Sequence, residues 1–415
     1  MRIEAPVWRH EPNLADPTFI GTLSHLPENQ QWQFDFDSTY LRSETALELD
    51  PHWCRTLSKS AFKYIGTSPP GAFADVALSG WTFDIARRAL SGQRQWTWWD
   101  RLVLAPENGF GALSVGDLAA KPDLKSEFIL EAVRLTPSIL RALNNDSSSG
   151  AFGGERPKLP ITADGREWIL KFPALGDNGD LAIAEATALS LGRQCGLKVP
   201  NHYVIQLSAS TSPALMIERF DRSGSSPIQA VSAATALGLG TNTDIDSPKR
   251  SYRQLRSLIR EPGDDLELYK RMVLNAIVHN GDDHPWNHSL VQLGRGRWAL
   301  SPLYDVTPFL QAKHPCVHRM DLISPPFSKP VRGQDRINPL RRISDVPTLL
   351  LAGHQIAGLD AEASLILIEK MATHVAHHWR DVFNKHANSR LQNEALRASP
   401  ERWATSFEGY MQLLK

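Results

Sequence analysis

Cysteine is scarce in this chain: three among 415 residues (Cys54, Cys195 and Cys316), far apart and in no C-x-x-C pattern. That argues against a disulfide scaffold or a cysteine-built zinc site, and it fits a reducing compartment, the cytoplasm. An excess of either charge is also missing, with Lys+Arg 45 against Asp+Glu 45. The chain therefore lacks the global basic surplus behind non-specific nucleic-acid binding, although a local patch stays open. No run approaches the ~18 apolar residues that mark a membrane span. The opening Met-Arg-Ile-Glu-Ala-Pro carries an early acid and no apolar core, unlike a secretory signal. Neither a G-x-S-x-G elbow nor a Cys–His signature supports nucleophilic hydrolysis.

What is present is apolar material for sizeable cores: 42% hydrophobic residues, with 12 Trp and 15 Phe. The length suits two or three domains at ~100–200 residues each. Composition divides the chain into 1–120, 121–230 and 231–415. The first part reads as short mixed segments: strands at Phe19–Ser24 and Gln31–Phe36, a helix at Trp81–Leu90, and a strand at Arg101–Leu104 before the Asn108-Gly109 turn. It carries no chemical constellation and reads as a packing or partner-binding unit.

The second part opens on loop chemistry between Ser147 and Lys158, with Gly153-Gly154 followed by Arg156 and Lys158. A hairpin follows, turning at Asp164-Gly165. On its second strand Trp168, Leu170 and Phe172 share one face, and Lys171 shares the other with Ile169 and Glu167. A helix over Ala182–Cys195 and strands at His202–Leu207 and Ala214–Phe220 complete a small β-rich lobe. Beyond residue 230 the pattern turns helical. Leu266, Tyr269, Val273, Ala276 and Ile277 lie on one helix face, and Leu365 to Phe383 marks a long final helix. Ser324–Arg342 reads as a surface connector.

The most informative segment is Asn280-Gly281-Asp282-Asp283-His284-Pro285-Trp286-Asn287, between a helix and a hairpin. Asp282 and Asn287 are five apart, and Asp305 lies 18 residues beyond Asn287. Phosphoryl transfer needs such groups: one carboxylate to accept or orient the attacking hydroxyl, and an amide and a second carboxylate to hold Mg2+ against the phosphates. The D-x-x-x-x-N spacing is that of the protein-kinase catalytic loop. Upstream parts come in kinase order. The glycine loop could cover phosphates, Lys171 could contact them, Glu185 could hold that ammonium, and Leu215–Phe220 sits where a hinge would meet adenine.

Gly153–Lys158, Leu170-Lys171-Phe172, Glu218-Arg219-Phe220-Asp221-Arg222, Asn280–Asn287 and Ser301–Pro308 together resemble the HipA family of serine/threonine protein kinases, toxins of bacterial type II toxin–antitoxin pairs. The resemblance implies an α+β, bilobed protein-kinase-like fold: a β-rich small lobe, an extra N-terminal subdomain (1–120) and a mainly helical large lobe. It implies ATP and Mg2+ as cofactors and Asp282 as the catalytic acid–base residue. His284 and Asn287 would share its loop, and Asp305 would be the principal Mg2+ ligand with Tyr304 beside it. Glu218, Arg219 and Phe220 would form the hinge. Gly153, Gly154, Arg156, Lys158 and Lys171 would complete the ATP site. Such kinases inactivate themselves by phosphorylating a serine near the phosphate loop, for which Ser147, Ser148 and Ser149 are candidates and Ser149 is nearest. The implied partners are a protein substrate and a helix-turn-helix antitoxin that supplies most DNA contacts, with no membrane.

Other readings of these residues are a non-catalytic corepressor acting beside an antitoxin and a kinase for a small molecule. An Asp-Asp-His cluster alone is usually a solvated turn. His284 and His288 are four apart, but Pro285 between them argues for a loop rather than a helical metal site. His314, Cys316 and His318 alternate as strand neighbours might. His374 and His378 read as helix surface.

Overall fold

The computed structural model describes residues 1–415 except 13, 15, 91–94, 123–155, 173–179, 207–211, 240–246, 311, 324–338 and 389–398. The expected phosphate-loop residues Gly153 and Gly154, the serines Ser147 to Ser149 and most of the 324–342 connector lie outside the described residues. The chain forms two compact units interleaved along the sequence. One comprises Met1–Asn178, Ile205–Asn242 and Leu290–Trp298; the other comprises Gly179–Val204, Thr243–Ser289 and Ala299–Lys415.

The first unit is β-rich. Strands β1 (Ile3–Arg9), β2 (Thr18–Leu26), β3 (Gln31–Phe36), β4 (Ala61–Ile65) and β5 (Leu113–Val115) form a sheet of order β4-β3-β2-β1-β5. In β3 the alternation is strict: Trp32, Phe34 and Phe36 are buried, with half-buried residues between them. Helix α1 (Gly80–Ala89) occurs where sequence periodicity places one. The segment expected as a strand at Arg101–Leu104 instead lies in helix α2 (Trp98–Val103) and its cap. Its start is fixed by a capping box in which Thr97 accepts from the Asp100 amide and Asp100 accepts from the Thr97 amide. That local hydrogen-bond pair outweighs the β-propensity of a short Leu-Val-Leu run.

The hairpin of β6 (Lys158–Ala163) and β7 (Arg166–Lys171) forms as the period-two pattern predicts. Trp168, Leu170 and Phe172 pack with Leu159 and Ile161 against Trp81, Ile85 and Ala86 of α1. The hairpin's other face carries Lys171 and Glu167 on either side of Ile169. After helix α3 (Leu181–Gln194) and strand β8 (His202–Ile205), strand β9 (Ala214–Glu218) pairs antiparallel with β7. Strand β10 (Ala230–Ser232) joins β11 (Ser289–Gly294) and β12 (Arg297–Leu300) in a three-stranded sheet.

The second unit is mainly helical: α3, α4 (Tyr252–Leu258), α5 (Asp264–Ile277), α6 (Val346–Ala352) and the 28-residue α7 (Ala361–Asn388). Of the apolar face expected on α5, Tyr269, Val273, Ala276 and Ile277 are buried and Leu266, in the first turn, is half-buried. Ile368, Ala372, Val375, Trp379 and Phe383 form the buried stripe of α7. The class is α+β. Among the described residues no helix is long and apolar enough to cross a membrane.

Candidate active site

Helix α5 carries the site's foundation. Acids fill its first turn, where the helix dipole favours them. The fully buried Asp264 carboxylate holds the Lys198 ammonium at 2.8 Å and accepts the Leu300 amide at 2.7 Å. One turn on, Glu267 accepts the Lys198 amide at 3.1 Å and binds the buried Arg271 guanidinium at 2.9 Å. Arg271 also donates to the Ser301 carbonyl. The helix leading into Asp282 and the strand end leading to Asp305 are thus pinned to one buried ion pair.

At the other end α5 stops cleanly. His279 adopts a left-handed conformation (φ 57°), and Asn280 turns back, its amide donating to the Asn275 carbonyl at 2.8 Å. Gly281 passes so close to the next segment that an added Cβ would lie 3.1 Å from the Val317 carbonyl. The loop then closes on itself. Pro285–Asn287 forms a single 3-10 turn, and the Asn287 side-chain amide donates to the Asp282 carbonyl at 3.3 Å. The two residues five apart in sequence are therefore joined directly. The Asp282 side chain stays half-exposed, with the Arg319 Nε 2.5 Å from its Oδ1.

Asp283 faces the interior. Its Oδ1 lies 3.0 Å from the His288 Nε2, and its Oδ2 accepts the Tyr252 hydroxyl. Burial pushes the Asp283 carboxyl up. The His288 imidazole beside it and the Tyr252 hydrogen bond outweigh this and hold it below the usual carboxylate range. Burial, reinforced by the Asp283 charge, pushes the Tyr252 phenol well up. This pair also spans five residues, one position further on than Asp282 and Asn287. It staples the loop from inside, while Asp282 stays half-exposed and Asn287 is buried beneath it.

Asp305 is brought alongside by its neighbour. The Tyr304 hydroxyl donates to the Trp286 carbonyl at 2.8 Å and meets the Ser289 hydroxyl at 2.7 Å. The Leu303 amide donates to the Lys198 carbonyl at 2.8 Å. Asp305 itself has φ 60°, a left-handed conformation uncommon outside glycine and found where a site holds it in place. The His284 ring stands edge-on to Trp286 at 5.8 Å.

In the first unit, Lys171 of β7 lies directly opposite Lys158 of β6 and opposite Leu215 of β9. Two lysines in register on a cross-strand pair favour an anion between or above them. Arg156 is exposed just before β6. Glu218 pairs with Arg166 at 3.0 Å, and Phe220 stands edge-on to Phe110 at 6.1 Å. The Arg219 side chain is committed to the interior: it donates to Asp221 at 2.8 and 3.0 Å, to Asn108 at 2.7 Å and to the Gly109 carbonyl at 2.6 Å. Burial drives the Asp221 carboxyl up, but Arg219 and Arg222 pull it down further, to about 2. Glu185 is buried within α3 of the second unit.

Residues 150–379, more than half of the chain, match the family described as the HipA-like C-terminal domain. The chain belongs to that family. A Sinorhizobium fredii relative carrying the provisional name kinase Y4dM is 28% identical over 192 residues, 43% of this chain and 44% of the relative. The HipA-like chain thus spans less than half the length of that curated relative in the match. The Shewanella oneidensis HipA, solved with HipB and operator DNA, superposes with a TM-score of 0.64 at 18% identity, covering 98% of this chain and 96% of the other. The two share a fold.

Sequence reasoning singled out Asp282 and Asn287 of this HipA-like loop but not the Asp283–His288 staple or Arg319. The staple had a signal: a second acid and base at the same spacing, shifted by one. Arg319 had none, since only folding brings it to Asp282. His288 faces Asp283, and His318 meets the Cys316 sulfur at 3.1 Å. Among the described residues no three His, Cys, Asp or Glu side chains converge as a metal-binding group.

Proposed function

We propose that this chain is a HipA-type serine/threonine protein kinase. It transfers the γ-phosphoryl group of ATP to a protein hydroxyl and acts in the cytoplasm as the toxin of a toxin–antitoxin pair. The observation that carries this reading is the closed loop in which the buried Asn287 holds the Asp282 backbone while the Asp282 side chain stays half-exposed, with Asp305 docked beside it through Tyr304. Asp282 orients the substrate hydroxyl and takes its proton as the new O–P bond forms and the bond to the ADP oxygen breaks. Asn287 and Asp305 offer the hard oxygen donors that suit Mg2+; the Asn287 nitrogen is turned to the Asp282 carbonyl, so its oxygen points away. Bound Mg2+ supplies charge neutralisation on the phosphates. Lys171, Lys158 and Arg156 supply the cations for the triphosphate, and the glycines Gly153 and Gly154 are the expected phosphate-binding residues of the sequence. The 218–220 backbone meets adenine, and His284 and Tyr304 line the same loop.

The Shewanella neighbour was solved with HipB and operator DNA. A helix-turn-helix antitoxin that reads the bases suits a chain whose formal net charge is zero. Phosphorylation of Ser149 or its neighbours Ser147 and Ser148 would add about −1.5 to −2 charge beside the triphosphate and shut the enzyme down. The deciding experiment is Asp282→Asn with γ-labelled ATP. The variant should bind ATP as the wild type does and transfer no label to casein or to itself. Undiminished transfer overturns the reading.

A further inference from the structure

Arg319 stands 37 residues beyond Asp282, on a segment far more firmly held than a surface arginine needs. Residues 316–322 run against 341–344: the Ser344 amide donates to the Cys316 carbonyl at 3.0 Å, His318 to Arg342 at 2.9 Å and Leu322 to Arg341 at 2.9 Å. Beneath them the Cys316 sulfur meets the Ser344 hydroxyl at 3.3 Å, and Asp321 holds the Arg342 guanidinium at 2.8 Å. On the opposite flank the Asp321 amide donates to the Arg250 carbonyl at 2.8 Å, and the Tyr252 amide to the Asp321 carbonyl at 3.1 Å. The same segment presses the Val317 carbonyl against Gly281. The base of Arg319 is therefore fixed relative to the loop that carries Asp282.

The ion pair itself is open to water, with the two side chains 52% and 45% exposed. Such a pair adds almost nothing to folding. Its consequence lies in direction: a half-exposed aspartate on a loop is otherwise free to rotate. We propose that Arg319 is the positioning residue of the catalytic aspartate, holding Oδ1 so that the other carboxylate oxygen faces the incoming hydroxyl. This rests on the reading of Asp282 as the proton acceptor. Misplacing a reacting group by about 1 Å costs on the order of a hundredfold in rate, so loss of the clamp should be felt in turnover and not in nucleotide binding.

The test compares Arg319→Ala, Arg319→Lys and Asp282→Asn in label transfer from ATP to casein and to the chain itself, with thermal melting of each. Arg319→Ala should lower kcat by roughly tenfold or more, leave the KM for ATP within about twofold, and melt within about 2 °C of wild type. Arg319→Lys should recover part of the rate. Millimolar guanidinium should restore turnover to Arg319→Ala and not to Asp282→Asn. A wild-type kcat in Arg319→Ala overturns the proposal, as does a faster variant, which would make the pair a brake. A rate loss that tracks a fall in melting temperature, with no rescue by guanidinium or lysine, also overturns it. If Asp282→Asn still transfers phosphate, the reading of Asp282 fails first. If that variant is dead and Arg319→Ala is not, only the positioning role fails.

Discussion

Asp283→Asn tests the inner staple without changing its shape. In the wild type a wholly buried carboxylate serves two partners, His288 and Tyr252. A hydrogen bond to a charged group contributes about 1.5–3 kcal/mol, so the neutral amide should cost about that much. Asp283→Ala should cost more, about 2–6 kcal/mol, because it removes the acceptor of the buried Tyr252 hydroxyl and the carboxylate beside the buried His288. Against a total stability of about 5–15 kcal/mol, either loss moves a urea midpoint measurably. The pH dependence has a definite sign. A carboxyl held below its ordinary value of ~3.9 gives stability that is complete above that value and is lost as pH falls through the folded-state value. The gap between wild type and Asp283→Asn should therefore stay level from pH 7 to pH 5 and narrow only in stronger acid. The variant should also transfer phosphate more slowly, since the staple sets the distance between Asp282 and Asn287. An unchanged midpoint, or a gap that widens on acidification, would refute the reasoning.

Further variants separate backbone from chemistry. Asp305→Asn, which tolerates the left-handed conformation, should fold normally and need far more Mg2+ for transfer; Asp305→Val should cost several kcal/mol in chemical denaturation because a β-branched residue resists φ 60°. Lys171→Met should weaken ATP binding in calorimetry, and the ATP affinity of the wild type should fall with added salt as two in-register lysines require. Arg219→Ala should destabilise by about 1.5–3 kcal/mol in urea, since it leaves the buried Asp221 carboxylate to Arg222 and the Gly111 amide alone, whereas Glu218→Ala, which loses a partly exposed pair with Arg166, should cost under about 1 kcal/mol.

Much of this was legible in the residues themselves. The hairpin of β6 and β7, helices α3, α5 and α7, and the chemical loop at 280–287 all carry periodic or spaced signals, because each is decided by its own neighbours. What escaped depends on distant partners or on one local bond. Arg101–Leu104 has strand-like composition, yet the Thr97–Asp100 box winds it into a helix. The inward turn of the Arg219 side chain, held by Asp221 and by a loop 110 residues earlier, had no sequence signal. Asp283 resembles an idle neighbour of Asp282 until Tyr252 and His288 close around it. Pairings across such separations leave no trace in spacing.

The anchoring of helix α5 and the strand end before Asp305 through Glu267 and Arg271 has a practical consequence for genetics. Under the proposed toxin reading, a selection for harmless variants of the overexpressed chain would return these two positions beside Asp282, although both are buried. Measuring how much intact protein each survivor accumulates would tell the two kinds apart: loss of Asp282 leaves the chain abundant, whereas loss of the Arg271 cation depletes it.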